Sequence, residues 1–204
     1  MKRHTQHLLV LTILALSLLA PTISSAIPGD YGAGAYGACT YNTCGITVTS
    51  DSVVNMNVTP GSSTTCTTQK DSVVVTTDSP TGYSLSMKSN TSSSNLTGSS
   101  AAFIPPTSGT QASPTALAAN TWGYRVDSLA SFGSGPTIAS SNTAPSSVTF
   151  AAVPTSAQTA ASLATISAVA NPGITTPVWF GICTNTATPA DTYSTGITFT
   201  AVVN

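Results

Sequence analysis

The chain has very little charge and lacks two side chains on which hydrolytic enzymes often depend. Only 5% of its 204 residues are charged, and glutamate is absent altogether. The two histidines, His4 and His7, both lie close to the N-terminus. Proton transfer in hydrolases is most often carried out by a histidine or a carboxylate. A Ser-His-Asp triad and a glutamate general acid are therefore excluded for the rest of the chain, and we expect no enzymatic activity.

Basic residues are equally sparse beyond the N-terminus. Lys70, Lys88 and Arg125 are the only cations after Arg3, and they are scattered along the chain. Nucleic-acid binding requires a clustered basic surface, so we exclude that class of partner. The stretch 32–37 matches the spacing G-x-G-x-x-G, but dinucleotide binding needs a strand before it and a helix after it. Neither is predicted there, and we expect no bound cofactor.

One long apolar run near the N-terminus has the layout of a secretory signal peptide. Lys2 and Arg3 precede it, and residues 24–26 provide the small side chains of a cleavage site. The apolar core, 8–20, is about 13 residues long, shorter than the roughly 20 that a membrane-spanning helix needs. We predict cleavage after Ala26, secretion, and no membrane span in the mature chain. An uncleaved membrane anchor is the alternative.

Hydroxyl and small apolar residues dominate the remainder, and they favour strands. Ser and Thr make up about a third of the chain, and Thr and Val suit a half-buried pleated surface. Short apolar-polar alternations are separated by Pro, Gly, Asp and Asn turns. They predict strands at 45–50, 53–59, 72–77, 83–88, 103–104, 121–126, 147–152, 163–170, 176–183 and 193–203. The strands 72–77 and 83–88 are expected to form a hairpin across the turn 78–82.

About eight to ten short strands without a strong amphipathic helix predict an all-β fold. We predict a single β-sandwich, Ig-like or jelly-roll-like, over residues 46–204. Residues 1–26 form the signal peptide in this interpretation. Residues 27–45 form a leader that is rich in Gly, Ala and Tyr and carries a pair of cysteines. The strand-helix alternation of a parallel sheet is missing.

The four cysteines, Cys39, Cys44, Cys66 and Cys183, all follow the predicted cleavage site. An even number in an exported chain predicts disulfide bonds rather than metal ligands. We favour pairing of Cys39 with Cys44 and of Cys66 with Cys183. The alternative is that Cys39 or Cys44 reaches into the sheet. A zinc site is not expected, because no histidine remains and the spacings do not match a tetrahedral site.

Two groups of aromatic residues are candidates for ligand stacking. Trp122 and Tyr124 lie in one predicted strand, and Tyr31, Tyr36 and Tyr41 lie in the leader. Exposed rings of this kind stack on sugars in carbohydrate-binding domains. For Trp122 we favour the other interpretation, a place in the core of a sandwich that has few other large side chains.

The aspartates show no recognisable catalytic arrangement. We expect Asp51, Asp71, Asp78 and Asp127 to be surface turn residues. The catalytic alternatives that the composition leaves open are a pair of Asp carboxylates and a Ser–Lys dyad with Lys70 or Lys88.

Several short motifs together resemble a known group of proteins. They are 36–39 with 44–45, 78–85, 120–124, 189–193 and 197–200. In these motifs the chain resembles small secreted surface proteins of ultrasmall, host-attached bacteria of the candidate phyla radiation (Saccharibacteria-like). It is similar, more loosely, to WxL-type cell-surface domains. The resemblance implies a surface location and a β-sandwich; it implies no activity and carries over no binding residues.

These observations predict a secreted or cell-surface, non-catalytic structural or adhesion protein. Its expected partners are cell-envelope glycans or a host-cell surface. One alternative is a carbohydrate- or cell-wall-binding module that uses exposed aromatics. A second is a pilus or filament subunit that assembles by strand exchange.

Overall fold

The computed structural model describes residues 45–135 and 137–204, and within them every regular element is a strand. The prediction of an all-β fold is confirmed. In this part of the chain no helix is long and apolar enough to cross a membrane. The predicted signal peptide, the leader up to residue 44, Cys39 and Cys44 lie outside the described residues. The strands are β1 (Ile46–Thr49), β2 (Thr65–Thr77), β3 (Tyr83–Ser89), β4 (Leu96–Gly98), β5 (Phe103–Ile104), β6 (Thr115–Ala116), β7 (Thr121–Arg125), β8 (Ser140–Thr143), β9 (Thr149–Phe150), β10 (Ala161–Ile166), β11 (Ala170–Thr184), β12 (Tyr193–Ser194) and β13 (Ile197–Val203).

The strands form several antiparallel sheets. The largest has the order β1-β2-β11-β7, and β8 also pairs with β2. A second sheet has the order β10-β3-β13, a third the order β12-β4-β5, and β6 pairs with β9. The long strands β2 and β11 pair along almost their whole length, from Thr77 opposite Ala170 to Thr65 opposite Thr184. These two strands form the centre of the largest sheet.

One hydrophobic core takes side chains from both large sheets. Val73 and Val75 of β2, Leu85 and Met87 of β3, and Phe180 of β11 all belong to it, and the first four are completely buried. The four residues of β2 and β3 alternate with more exposed neighbours, as the two-residue period of a strand requires, whereas Phe180 lies in a stretch of β11 that is buried on both faces. Burial of each such side chain contributes about 1.5–3 kcal/mol. The core therefore holds the two sheets together.

A smaller cluster lies on the opposite face of β11, and two glycines make room for it. Gly181 of β11 and Gly123 of β7 are directly opposite each other. A Cβ atom at Gly181 would lie 2.7 Å from the ring of Phe150, and one at Gly123 would lie 2.7 Å from the carbonyl oxygen of Ala151. Side chains at these positions would displace β9, so the glycines allow the 149–151 stretch to pack directly on the sheet.

Cys66 and Cys183 form a disulfide bond, as predicted. The two residues are paired neighbours on β2 and β11. They belong to the smaller cluster, together with Leu117 and Phe150. The bond links two cysteines that are 117 residues apart in the chain and so connects β2 to β11.

The predicted hairpin of 72–77 with 83–88 is wrong. Both stretches are strands, but β2 lies in the five-stranded sheet and β3 pairs with β10 and β13. One edge of β2 is covered by β11, and β1 and β8 share the other. No edge is left for β3. The chain instead turns at Gly82, which has a φ of 77° and packs against the backbone of Ile166, and enters the second sheet.

Other strand predictions need smaller corrections. The predicted strand 193–203 is interrupted at 195–196, and β10 ends at Ile166 rather than at residue 170. The predicted loop 128–146 contains β8, whose sequence, Ser-Ser-Asn-Thr, has no apolar alternation to reveal it. Short pairings of this kind bring the number of strands in the described residues to thirteen.

A buried ion pair lies at the end of β7. Arg125 is only 3% exposed, and its Nη2 atom lies 2.6 Å from Oδ1 of Asp127. Asp127 also accepts a hydrogen bond from the Thr137 hydroxyl at 2.8 Å, and the guanidinium lies 5.9 Å from the centre of the Phe132 ring. Burial raises the pKa of Asp127, but the hydrogen bonds from Thr137 and the nearby Arg125 outweigh it, so this pKa lies below its usual value. Asp127 therefore connects Arg125 to Thr137 and is not merely a surface turn residue.

Candidate binding groove

A groove of about 750 Å³ opens beside the contact between β1 and β13. One wall is the stretch 52–60, which follows β1, and the other is formed by 188–197 together with Phe199. We call this cavity the groove. Its floor consists of buried apolar side chains from β4, β5, β7 and β11: Leu96, Ile104, Trp122, Phe180 and Ile182. The main core is thus reached from the surface through the groove.

The wall 52–60 has the side-chain alternation of a strand but no partner strand. Val54, Met56 and Val58 are half-buried and pack against the main core, whereas the residues between them are exposed. The backbone N–H groups of 54–58 have no hydrogen-bond partner among residues 45–135 and 137–204. The prediction of a paired strand at 53–59 is therefore wrong. β1 pairs with β2 only as far as Val74 and β8 pairs with it at Cys66 and Thr68, yet 53–59 does not pair with the part of this edge between them, so it lies outside the sheet.

Side chains fix both ends of this wall. The Asp51 N–H donates to Oδ1 of Asp71 at 2.8 Å, and the Ser72 N–H donates to Oδ2 of Asp51 at 2.9 Å. At the other end the Thr59 N–H donates to Oδ1 of Asn142 at 2.6 Å. The Thr67 hydroxyl donates to the carbonyl oxygen of Asn57 at 2.9 Å. The stretch is therefore held in an extended conformation although it belongs to no sheet.

The opposite wall contains the edge of a sheet that has no partner strand within 45–135 and 137–204. In this part of the chain β13 is the last strand of its sheet and pairs with β3 alone. Its sequence contains neither a charged residue nor a proline, the features with which proteins usually block an edge strand. Val202 is 59% exposed on the outer face of this strand. The edge therefore remains open to backbone pairing where it borders the groove.

Asp191 fastens the loop before β12 to the turn after β4. Its carboxylate accepts hydrogen bonds from the Ser99 hydroxyl at 2.6 Å and the Ser100 hydroxyl at 2.8 Å. These hydroxyl bonds, together with the backbone N–H of Ser100, hold the pKa of Asp191 well below its usual value. The Tyr193 hydroxyl donates to the carbonyl oxygen of Pro189 at 2.8 Å. The second wall is thus also held by its own hydrogen bonds.

Most of the polar side chains that line the groove are uncharged hydroxyls and amides. Thr184 is 1% exposed, and its hydroxyl has no hydrogen-bond partner in the described part of the chain. Its lining residues with a carboxyl group are Asp71 and Asp191. No three His, Cys, Asp or Glu side chains in 45–135 and 137–204 lie close enough to share a metal ion. The groove combines an apolar floor and neutral polar walls, which suits the binding of an uncharged ligand.

Asp71, predicted as a surface turn residue, lies instead in the middle of β2 and is 5% exposed. Burial raises the pKa of its carboxyl group; the Asp51 N–H opposes this shift, and the Asp51 charge adds to it. A carboxyl whose pKa is higher in the folded state binds more protons there than in the unfolded chain. Its ionisation therefore destabilises the fold, and this cost disappears as the pH falls through the raised pKa.

Replacement of Asp71 by Asn is expected to increase the free energy of unfolding at pH 7. The gain should shrink as the pH is lowered towards 4, because the wild-type carboxyl then takes up a proton and becomes neutral as well. Urea unfolding at both pH values measures the difference. Asp78→Asn, at an exposed position, is the matched control and should show little change. A loss of stability at pH 7 in Asp71→Asn would contradict the expectation.

Of the five aromatic residues considered as stacking platforms, the structure describes two, and both are buried. Trp122 is 2% and Tyr124 1% exposed. The Trp122 indole N–H donates to the carbonyl oxygen of Ser94, and Tyr124 packs edge-on against Phe132. Both side chains are almost completely buried, which favours the core interpretation over that of exposed stacking platforms. Tyr31, Tyr36 and Tyr41 lie outside the described residues.

Sequence reasoning missed the groove itself. The alternation at 53–59 was visible, but the lack of a partner strand was not, because pairing depends on strands distant in the chain. Turn residues such as Pro189 and Gly196 indicated irregular backbone without showing that it faces 53–59.

The chain matches no protein-family model, no curated protein and no solved structure. Its function is therefore inferred from its own residues and geometry.

Proposed function

We propose that this chain is an exported, non-catalytic β-sandwich with a structural or adhesive role at the cell surface. In this proposal the groove is the site at which it binds an extended, uncharged partner. Export is supported by the signal-like pattern at 1–26 and by the Cys66–Cys183 disulfide, since such bonds persist in oxidising compartments. The sandwich is supported by the core that the two large sheets share.

The observation that carries the binding role is the apolar floor of the groove. Ile104, Trp122 and Phe180 belong to the core, yet they line a cavity open to the surface. Removal of apolar surface from water is favourable by about 25 cal/mol per Å², so an occupant with apolar side chains would gain from binding here.

Blocking the groove is expected to release the protein from the cell. Asn55 is exposed and lines the groove, so Asn55→Trp places a large ring at its mouth without disturbing the core. Ile138→Trp, at a position 77% exposed and not part of the groove lining, is the matched control. Fractionation of cells and medium should show the wild type and Ile138→Trp with the cells and Asn55→Trp mainly in the medium. Equal retention of both variants would show that the groove has no such role.

Export itself is tested by the N-terminal sequence of the mature product. We expect it to begin at Ile27, with the protein absent from the cytoplasm. A cytoplasmic product that retains residues 1–26 would overturn this part of the proposal, whatever the groove binds.

A further inference from the structure

We infer that the occupant of the groove is the 27–44 segment of a second copy of this chain, inserted as a β-strand between 53–58 and β13. The inference rests on the proposed binding role of the groove and names the partner. It concerns the same site but can fail separately, because the groove could bind a different partner.

The two walls of the groove favour the binding of a strand over the binding of a compact ligand. On one side, residues 54–58 are extended and present N–H groups without partners in the described chain. On the other side, β13 offers a sheet edge that pairs with no other strand of the described chain. An extended peptide pairs its backbone with such edges and places alternate side chains into pockets below. Here the pockets are formed by floor residues such as Trp122 and Ile182, and the buried Thr184 hydroxyl would find a partner.

The chemistry of 27–44 fits this position. Its 18 residues contain one charge, Asp30, and the stretch 31–44 contains none. The groove is lined by two carboxyl groups, so a neutral strand avoids repulsion there. Alternating Gly and Ala at 32–35 are small enough to enter between two existing walls. Fully extended, 18 residues span about 60 Å, whereas the six residues 53–58 need only about 20 Å.

The path of the chain favours a second copy over insertion of the segment into its own groove. The described chain begins at Gly45, directly before β1, and the groove begins only beyond the other end of β1, at Ser50. β1 pairs with β2 on one edge and lies against β13. To reach Gly45, a strand of the same chain would have to leave the groove and run back past the whole of β1. A segment from a neighbouring molecule can enter the groove from outside and needs no such return path.

Insertion of this kind joins two different surfaces, the N-terminal segment of one molecule and the groove of the next. Such head-to-tail contacts form rings if the rotation closes and open filaments if it does not. The inferred contact therefore supplies a mechanism for the structural role proposed above.

Photo-crosslinking through methionine tests the inference directly. After removal of residues 1–26 the chain contains two methionines, Met56 on the groove wall and Met87, which is completely buried in the core. The secreted chain is produced with photo-methionine in ¹⁴N- and ¹⁵N-labelled forms, mixed in equal amounts at high dilution, concentrated and irradiated. Mass spectrometry then identifies the peptide attached to Met56. Met87 is the internal control and should attach only to core residues.

We expect Met56 to attach to residues 27–44, with about half of the cross-linked pairs joining a heavy to a light chain, as random head-to-tail assembly requires. Asn55→Trp should reduce this product roughly tenfold, equivalent to about 1.4 kcal/mol of binding, and Ile138→Trp should not. Three results would each overturn the inference. They are cross-links to 27–44 within one chain only, cross-links only to the groove's own walls, and cross-links to another part of a second copy. Any of these can occur while Asn55→Trp is still released from cells, so the two proposals are distinguishable.

Discussion

Replacement of both Cys66 and Cys183 by alanine is expected to lower the free energy of unfolding by about 4–5 kcal/mol. The bond closes a loop of 117 residues, so its loss gives the unfolded chain a large gain in conformational entropy. The two residues also pack with Leu117 and Phe150, and their truncation loosens that cluster. Urea unfolding of the oxidised wild type and the double variant at pH 7 measures the difference.

The control for this experiment is replacement of Cys39 and Cys44, which leaves the long-range bond in place. If these two cysteines pair with each other as predicted, the loop they close is short, and its loss should cost only about 2 kcal/mol. A loss below about 1 kcal/mol in the Cys66/Cys183 variant would contradict the expectation. It would mean that the pairing of β2 with β11 holds these strands together without the bond.

Trp122→Ala is expected to destabilise the protein by about 3–5 kcal/mol, the usual cost of removing a large buried aromatic side chain. Trp122 is 2% exposed, and its ring centre lies 6.4 Å from that of Phe180. Its indole N–H donates to the Ser94 carbonyl oxygen at 2.9 Å. The residue therefore packs β7 against β11 and holds the loop before β4. Chemical denaturation followed by far-UV circular dichroism measures the effect.

Two further variants separate the contributions of Trp122. Trp122→Phe keeps a ring in the core but removes the donor to Ser94, and the unsatisfied carbonyl and lost volume should cost less than the alanine variant does. Phe103→Ala, at a position 59% exposed on the neighbouring strand β5, is the matched aromatic control and should change stability by no more than about 0.5 kcal/mol. Similar effects of Trp122→Ala and Phe103→Ala would refute the assignment of Trp122 to the core.

Local sequence patterns predicted strands well where a strand is also buried. At 83–88 and 176–183 the apolar alternation coincides with β3 and with the buried half of β11, because the side-chain period of a strand is a local property. At 140–143 the same reasoning failed. β8 has no buried face and exists only because the free part of the β2 edge lies beside it.

The stretch 53–59 shows the opposite case, in which a local pattern predicts a strand that does not pair. Its alternation correctly indicated an extended chain with Val54, Met56 and Val58 facing the interior. Whether such a stretch becomes a paired strand depends on how it packs beside a neighbouring edge, and 53–59 does not pair with the part of the β2 edge that lies between β1 and β8. The groove is the result, and its floor comes from four strands that no local pattern connects.

For the aspartates, the sequence did not predict which side chains are buried or form ion pairs. Asp71 and Asp127 were expected at surface turns, but Asp71 lies in a buried position of β2 and Asp127 partners Arg125. Composition shows how few charges there are without showing which of them face each other. Ion pairing and burial follow from packing between segments distant in the chain.

The sequence by itself determined the β character of the chain, because Thr- and Val-rich alternation and frequent turn residues act over a few positions. By excluding histidine, glutamate and clustered cations from the chain after residue 26, it also argued against most catalytic and nucleic-acid-binding roles. Only the tertiary structure decided which strands pair, that Tyr124 joins Trp122 in the core, and that 53–58 faces β13 across a groove in the described part of the chain. Edge availability and burial are properties of the packed sheets and not of any local stretch, and they determine where the groove forms.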